Sequence, residues 1–186
     1  MAELLDTRDG VVVSAASLQE EWQRNMERVK WVSPVDFTAE FLDTLSYGPT
    51  EVEFRVVNLE PFRLLRRRTF RKHIFNARIY LWQLAVSQTR PKRAREIKQR
   101  FRSLLLTSLN NSQPRFDAIT SELTLLDSLL DNLSEEGFLS MAHYITQRVW
   151  GDLEKNPGLL PRSIRLGMWL DEIYQDYVER AECLRP

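Results

Sequence analysis

The chain has 186 residues, of which 43% are apolar and 28% are charged, so it is long enough for one domain with a buried core. Its single cysteine, Cys183, excludes an internal disulfide and is typical of a reducing compartment. No apolar stretch approaches ~20 residues, so a membrane span is not expected. The N-terminus lacks the basic start and apolar run of a signal peptide, and an intracellular protein is therefore expected.

The net charge of zero conceals an uneven distribution along the chain. Residues 63–102 hold fourteen of the 26 basic side chains and a single acid, Glu96, which gives this segment a charge of +13. Residues 1–62 carry −7 and residues 103–186 carry −6. The basic segment fits a nucleic acid, an acidic protein or a plain solvated surface, and its excess of one sign favours the nucleic acid.

The N-terminal third of the chain predicts a helical hairpin followed by one strand. Apolar residues recur at helical intervals over residues 18–31, and Ser33 followed by Pro34 starts a second helix. The strict alternation of polar and apolar side chains at residues 51–56 predicts a strand. A strand needs a partner, and the β-branched run at residues 11–13 is one candidate.

The remainder of the chain predicts further helices. Residues 62–86 fit one long helix, which the sequence before Pro91 interrupts, and an amphipathic pattern with a basic outer face then resumes. Residues 116–133 alternate apolar spacings of three and four, and a last helix is expected at 161–182. The predicted fold class is all-α: an antiparallel helix bundle made of a short N-terminal helical hairpin and two long helices, with at most one small strand pair and a C-terminal helical extension.

The domain organisation follows from a loop rich in proline and glycine near residues 152–162. Residues 1–151 are expected to form the helical-bundle core domain, with the basic segment 63–102 contacting RNA. Residues 152–186, a loop and the C-terminal helix, are expected to be an appendage or a subunit-contact element.

The chain carries no motif for catalysis, metal binding or nucleotide binding. Its two histidines, His73 and His143, and its one cysteine lack metal-ligand spacing, and no phosphate loop or dinucleotide fingerprint occurs. We therefore expect a protein that is not an enzyme and has no cofactor. Four aromatic residues interleave with arginines in the first long helix: Phe70, Phe75, Tyr80 and Trp82. The helical spacing of Phe70 and Trp82 favours a buried stripe over stacking on RNA bases.

Several local patterns occur in a suggestive order: paired helices between residues 22 and 45, a Pro-Phe-Arg-Leu segment at 61–64, an arginine-rich exit from the first long helix, and Arg115 with Asp117 at the start of the next. This order resembles the coat proteins of rod-shaped plant RNA viruses, the tobamovirus-like family that includes hordeiviruses and tobraviruses. The resemblance implies a structural capsid protein of the virion, located in the host cytoplasm before assembly. Such a protein self-assembles helically and packages single-stranded RNA without sequence preference.

The resemblance also implies which residues contact the RNA. In that family, arginines at the end of one long helix and at the start of the next bind RNA phosphates. The corresponding candidate RNA-binding residues are Arg90, Lys92, Arg93, Arg95 and Arg115. Further phosphate or assembly contacts are expected from a second group: Arg66, Arg67, Arg68 and Arg71. The first three of these, Arg66, Arg67 and Arg68, oppose the dipole of a helix start, which indicates that a partner or an acidic neighbour compensates them.

Two further hypotheses arise at this stage. Asp117 and Glu122 lie near the basic segment, and a cluster of repelling carboxylates there would act as a switch with raised pKa values that binds protons or calcium on assembly. The alternative function is a non-viral helical adaptor or effector protein whose basic helix binds an acidic protein partner.

Overall fold

A computed structural model of the chain describes residues 3–5, 12–14, 33–46, 48–60, 63–129 and 135–184. Within these residues it has a strand pair, β1 (Glu3–Leu5) and β2 (Val12–Ser14), and seven helices: α1 (Pro34–Ser46), α2 (Glu51–Val56), α3 (Leu64–Thr89), α4 (Ala94–Ser108), α5 (Gln113–Leu129), α6 (Glu135–Trp150) and α7 (Leu160–Glu182). The predicted all-α helix bundle is confirmed. No helix in the described ranges combines the length and the apolar character needed to cross a membrane.

The strand predicted at residues 51–56 is wrong, because this segment forms α2. Thr50 caps the helix: its Oγ1 accepts from the backbone N–H of Glu53 at 3.4 Å, and the Glu53 carboxylate accepts from the N–H of Thr50. This capping box satisfies two N–H groups that a helix start would otherwise leave unpaired. Phe54 and Val57, three positions apart, are both buried, so helical spacing prevails over a short alternation.

The candidate strand at residues 11–13 overlaps β2, and the partner of β2 is β1 rather than the segment that forms α2. The two strands are antiparallel, with Leu4 opposite Val13. The helix predicted over residues 18–31, and with it the N-terminal hairpin, lies outside the described residues.

The start of α1 follows the sequence prediction. The Ser33 hydroxyl accepts from the backbone N–H of Asp36 at 3.1 Å, which is the N-cap interaction expected before a helix. Phe37, Phe41 and Leu45 form the buried stripe of α1, with 4–5% of each side chain exposed. This stripe packs α1 against α4 and against the middle of α3.

α3 is the central helix of the bundle and contacts α4, α5, α6 and α7. From its second turn onward it is buried on several sides, and its fully buried apolar residues are Phe70, Ile74, Ala77, Ile79, Leu81, Ala85 and Val86. A helix that is covered all round needs apolar side chains on more than one face, so it lacks a simple amphipathic stripe. Its first turn differs, because Leu64 and Leu65 are 75% and 82% exposed.

α7 belongs to the same core, so the helix predicted as a C-terminal appendage is not one. Its buried face consists of Leu166, Leu170, Ile173, Tyr174, Tyr177 and Ala181. The Tyr174 hydroxyl donates to the side-chain oxygen of Gln88 near the end of α3. Burial raises the pKa of Tyr177 to about 12. The loop before α7 therefore reverses the chain direction without dividing the chain into two domains.

Candidate nucleic-acid interface

Arg67, a predicted phosphate contact, is buried in the fold. Its Nε donates to the carbonyl oxygen of Glu60 at 3.2 Å, and its Nη2 donates to that of Leu59 at 3.3 Å. Its guanidinium carbon lies 4.2 Å from the centre of the Phe54 ring. These contacts fasten α2 and the segment after it to the first turn of α3. Arg67 therefore has a structural role, which differs from the phosphate contact predicted for it.

The other cations of α3 divide between internal contacts and solvent. Arg71 lies 5.2 Å from the same aromatic ring, and Nη2 of Arg78 donates to the Glu53 carboxylate at 2.9 Å in a largely buried ion pair. Arg66 and Arg68 are exposed, and neither pairs with a carboxylate of the described residues. Arg71 is also exposed, so three of the four additional contacts predicted from the sequence remain on the surface, and none of the three pairs with a carboxylate of the described residues.

Arg90 closes the C-terminal end of α7. Its Nη2 donates to the carbonyl oxygens of Glu182 at 2.6 Å and Leu184 at 2.7 Å. The last carbonyl groups of a helix have no partner within the helix, and a basic side chain is a favourable partner for them. The guanidinium of Arg90, which the sequence predicted to contact RNA, therefore makes an internal contact in the fold.

The turn between α3 and α4, together with the first turn of α4, carries three of the other candidates. Lys92 and Arg95 are exposed. Arg93 is half-buried, and its Nε lies 3.4 Å from the Glu96 carboxylate. Lys92 and Arg95 are thus the members of this group that present their charge to solvent.

Arg115 lies beyond the opposite end of α4 from these residues. α4 has 15 residues, so about 22 Å of helix separates Arg115 from Arg93. Arg115 instead precedes Phe116, whose ring lies 4.9 Å from the guanidinium of Arg102. The five predicted RNA-binding residues are therefore not brought together as one compact site.

A line of cations runs along the first half of α4. Arg95, Lys98 and Arg102 are spaced by three and four residues, which places them on one face of the helix. That face is directed toward α5, because Arg102 covers a ring of α5 and Lys98 lies within the electrostatic influence of Asp127. We call the following set the cationic track: Lys92, Arg95, Lys98, Arg102 and Arg115.

The charges of the track are largely uncompensated. Among the residues that the structure describes, no carboxylate forms an ion pair with Lys92, Arg95, Arg102 or Arg115. Partial burial lowers the pKa of Lys98, and the negative charge of Asp127 opposes this effect. A row of like charges favours the approach of an anion that spans several of them. The spacing of 95, 98 and 102 is visible in the sequence and was a usable signal for this surface.

The aromatic residues that interleave with the arginines are not on this surface. Phe70 and Trp82 are 0% and 1% exposed, which confirms that they belong to the core rather than to a base-stacking platform. The Tyr80 ring is also buried, and its hydroxyl donates to Asp127 at 2.9 Å.

The two carboxylates predicted to form a switch, Asp117 and Glu122, do not have the predicted surroundings in the structure. Within the described residues, the groups that act on Glu122 are bases and an amide rather than a second carboxylate: its Oε1 accepts from Nδ1 of His73, and Nζ of Lys72 lies 3.9 Å from its Oε2. Burial raises the pKa of the Glu122 carboxyl, but its hydrogen bond to His73 and the charges of His73 and Lys72 outweigh this effect and hold the pKa below its ordinary value. Asp117 is exposed and accepts from Gln113 at 2.7 Å. The predicted raised pKa is therefore wrong for Glu122.

The lowered pKa of Glu122 gives the fold an acid-sensitive contact. A carboxyl group whose pKa is lower in the folded chain stabilises the fold above its ordinary value near 4.5, and this contribution is lost as the pH falls through the folded-state value. We expect Glu122→Gln to lower the free energy of unfolding by about 1–3 kcal/mol at pH 7. In urea unfolding at several pH values, its difference from the wild type should shrink below pH 4.5.

Asp117→Asn is the matched control, since it removes an exposed carboxylate from the same helix. We expect it to change stability by less than about 0.5 kcal/mol. A Glu122→Gln variant as stable as the wild type at pH 7 would contradict the assignment.

These features define an all-α helix bundle with a line of cations on the α5-facing side of α4. In the described ranges, no three His, Cys, Asp or Glu side chains are grouped closely enough to hold a metal ion. Comparisons of the chain with family models, with curated proteins and with solved structures find no match.

Proposed function

We propose that the protein is a non-enzymatic RNA-binding protein that holds single-stranded RNA along the cationic track and self-assembles around it. The observation that carries this proposal is the track itself, five cations of which three are at helical spacing on α4, with no ion-pair partner among the carboxylates of the described residues. Neutralising such a row with phosphates releases counterions, which drives binding at moderate salt.

The geometry favours contacts to the RNA backbone over contacts to bases. The cations between Arg95 and Arg102 extend over about 10 Å along the axis of α4, so they match a chain of charges rather than one anion. Phe116, the aromatic residue that touches the track, is buried under Arg102. Binding without sequence preference follows, because phosphate contacts position a nucleic acid and base contacts specify it.

The test is a double substitution, Arg95→Gln with Arg102→Gln. Fluorescence anisotropy with a labelled single-stranded RNA should show affinity about 10- to 100-fold below that of the wild type at ~0.15 M salt. The slope of log K against log salt should fall by about 1.4, because each phosphate contact on a single strand contributes about 0.7.

The matched control removes two exposed cations that lie away from the track, Arg148 on α6 and Lys155 in the following loop. Arg148→Gln with Lys155→Gln is expected to change RNA affinity by less than about twofold. Equal losses in both double variants would show that binding follows net charge alone and would contradict the proposal.

The self-assembling part of the proposal rests on the resemblance to rod-shaped viral coat proteins and on exposed apolar residues. Leu64 and Leu65 at the start of α3, and Met168 on α7, are 75%, 82% and 63% exposed. Such residues are candidates for contacts between subunits.

Sedimentation velocity and negative-stain microscopy, with and without RNA, test assembly. Rods that form with RNA support a coat protein, and a monomer under every condition contradicts it. Binding of nuclease-treated protein to an acidic protein at moderate salt, through the track, would instead support the alternative function of a helical adaptor.

A further inference from the structure

A polar cavity of about 100 Å³ lies where the first turns of α3 and α7 approach the segment between α2 and α3. The residues that matter in its lining are Asn58, Glu60, Arg63, Arg66, Trp150 and Arg162. α3 has 26 residues, so the cavity is about 39 Å along this helix from the turn where the cationic track begins. It is a separate feature of the surface.

The charges around this cavity are unbalanced. Arg63, Arg66 and Arg162 line it, and Arg165 is near enough to Arg162 for the two like charges to interact. The carboxylate in the lining is Glu60, which is 3.7 Å from Arg63 in an exposed pair. Four guanidinium groups thus share one carboxylate, and such a cluster is stable only when solvent or an anion screens it.

Arg162 is positioned in advance by its neighbours. Its guanidinium lies 4.8 Å from the centre of the Trp150 ring, and its Nη2 is 3.5 Å from the carbonyl oxygen of Asn58. Its Nε is buried, and no residue in the described part of the chain accepts from it. Burial, together with the charges of Arg165 and Arg66, lowers the pKa of Arg162. A buried donor of this kind indicates a missing acceptor.

The two helix starts add to this electrostatic environment. Neither α3 nor α7 has a side-chain cap, and neither carries an acid in its first turn. A helix start bears a partial positive charge, so arginines placed there are unfavourable until an anion arrives. The planar arginine fork matches phosphate oxygens and donates two hydrogen bonds at once.

We propose that this cavity is a binding site for a dianionic phosphate group, held by Arg66 and Arg162. The cavity is large enough for one phosphate group, and its net positive charge favours a dianion over chloride. The phosphate can be free or can belong to a mononucleotide. This site goes beyond the RNA-binding function, because it uses none of the residues of the cationic track.

Thermal unfolding and calorimetric titration with inorganic phosphate and with adenosine 5′-monophosphate, at constant ionic strength, test the site. Both ligands should stabilise the wild type and give saturable heats. Arg66→Gln should weaken their binding about tenfold or more, because a charged hydrogen bond is lost. Arg66 is exposed, so this variant should fold, and relief of repulsion should leave it at least as stable as the wild type in chloride.

Two further variants separate this site from other sources of anion binding. Arg68→Gln, an exposed neighbour that does not line the cavity, should keep the wild-type response to phosphate. The Arg95→Gln/Arg102→Gln variant should also keep it while losing RNA affinity, which distinguishes this proposal from the RNA-binding one. An unchanged phosphate response in Arg66→Gln, or no response in the wild type, overturns the proposal. A response to adenosine monophosphate alone would identify the nucleotide as the source of the phosphate.

Discussion

Replacing Arg67 by alanine is expected to lower the free energy of unfolding by about 2–4 kcal/mol, even though the residue is a charged one in an arginine-rich segment. The substitution removes the donors for two backbone carbonyl groups and a cation–π contact at 4.2 Å. It also leaves space in a buried place, since Arg67 is 9% exposed. Chemical unfolding followed by circular dichroism measures the loss.

Arg68→Ala is the matched control for this prediction. Arg68 follows Arg67 in the same turn of α3, carries the same charge and is exposed. We expect a change of less than about 0.5 kcal/mol. Equal small effects of both substitutions would contradict the structural role of Arg67. Arg67 would then be available for the phosphate contact that the sequence predicted.

The second large effect is expected at Trp82, which is 1% exposed. Its ring stacks on Phe41 at 4.8 Å with an angle of 4° between the planes, and it contacts Phe37 at 5.5 Å and Phe101 at 4.9 Å. Trp82 thus joins α1, α3 and α4. Trp82→Ala should lower the free energy of unfolding by about 3–5 kcal/mol, because a large aromatic side chain leaves a cavity that the helices cannot fill.

Trp82→Phe separates ring packing from the indole N–H. The Nε1 of Trp82 is buried without an acceptor in the described part of the chain, so phenylalanine loses no hydrogen bond. We expect it to retain one ring of the stack and to cost less than half as much as alanine. A phenylalanine variant as unstable as the alanine variant would show that the indole shape, rather than aromatic packing, is required.

The sequence predicted the parts of the fold that depend on neighbouring residues. The Ser33-Pro34 helix start and the break near Pro91 are local conformational effects. The turn that the structure shows at Asn110 and Asn111 is also local, since both residues have positive φ angles, 56° and 55°. The same local reasoning was wrong at residues 51–56. Six residues are too few to distinguish a strand, with an apolar period of 2, from a helix, with a period of 3.6. The capping box at Thr50 favours the helix at this place.

The sequence predicted which region of the chain carries the candidate RNA-binding surface, but it did not predict which residues of that region form it. The excess of positive charge in residues 63–102 is a property of composition, and it identified α3 and α4 as the basic part of the chain. Which arginines face solvent depends on contacts with residues far along the chain. Arg90 contacts carbonyl groups more than ninety positions away, and no pattern around Arg90 shows this.

The sequence by itself determined that the chain is an α-helical protein with a basic centre, because helix periodicity, caps and charge are local properties. Only the tertiary structure decided how those basic residues are divided. Tertiary packing buried Arg67 under α2 and used Arg90 to close α7, since backbone carbonyls without a partner inside a helix need other donors. The same packing left Arg95 and Arg102 in line along α4, with no carboxylate of the described residues paired to either.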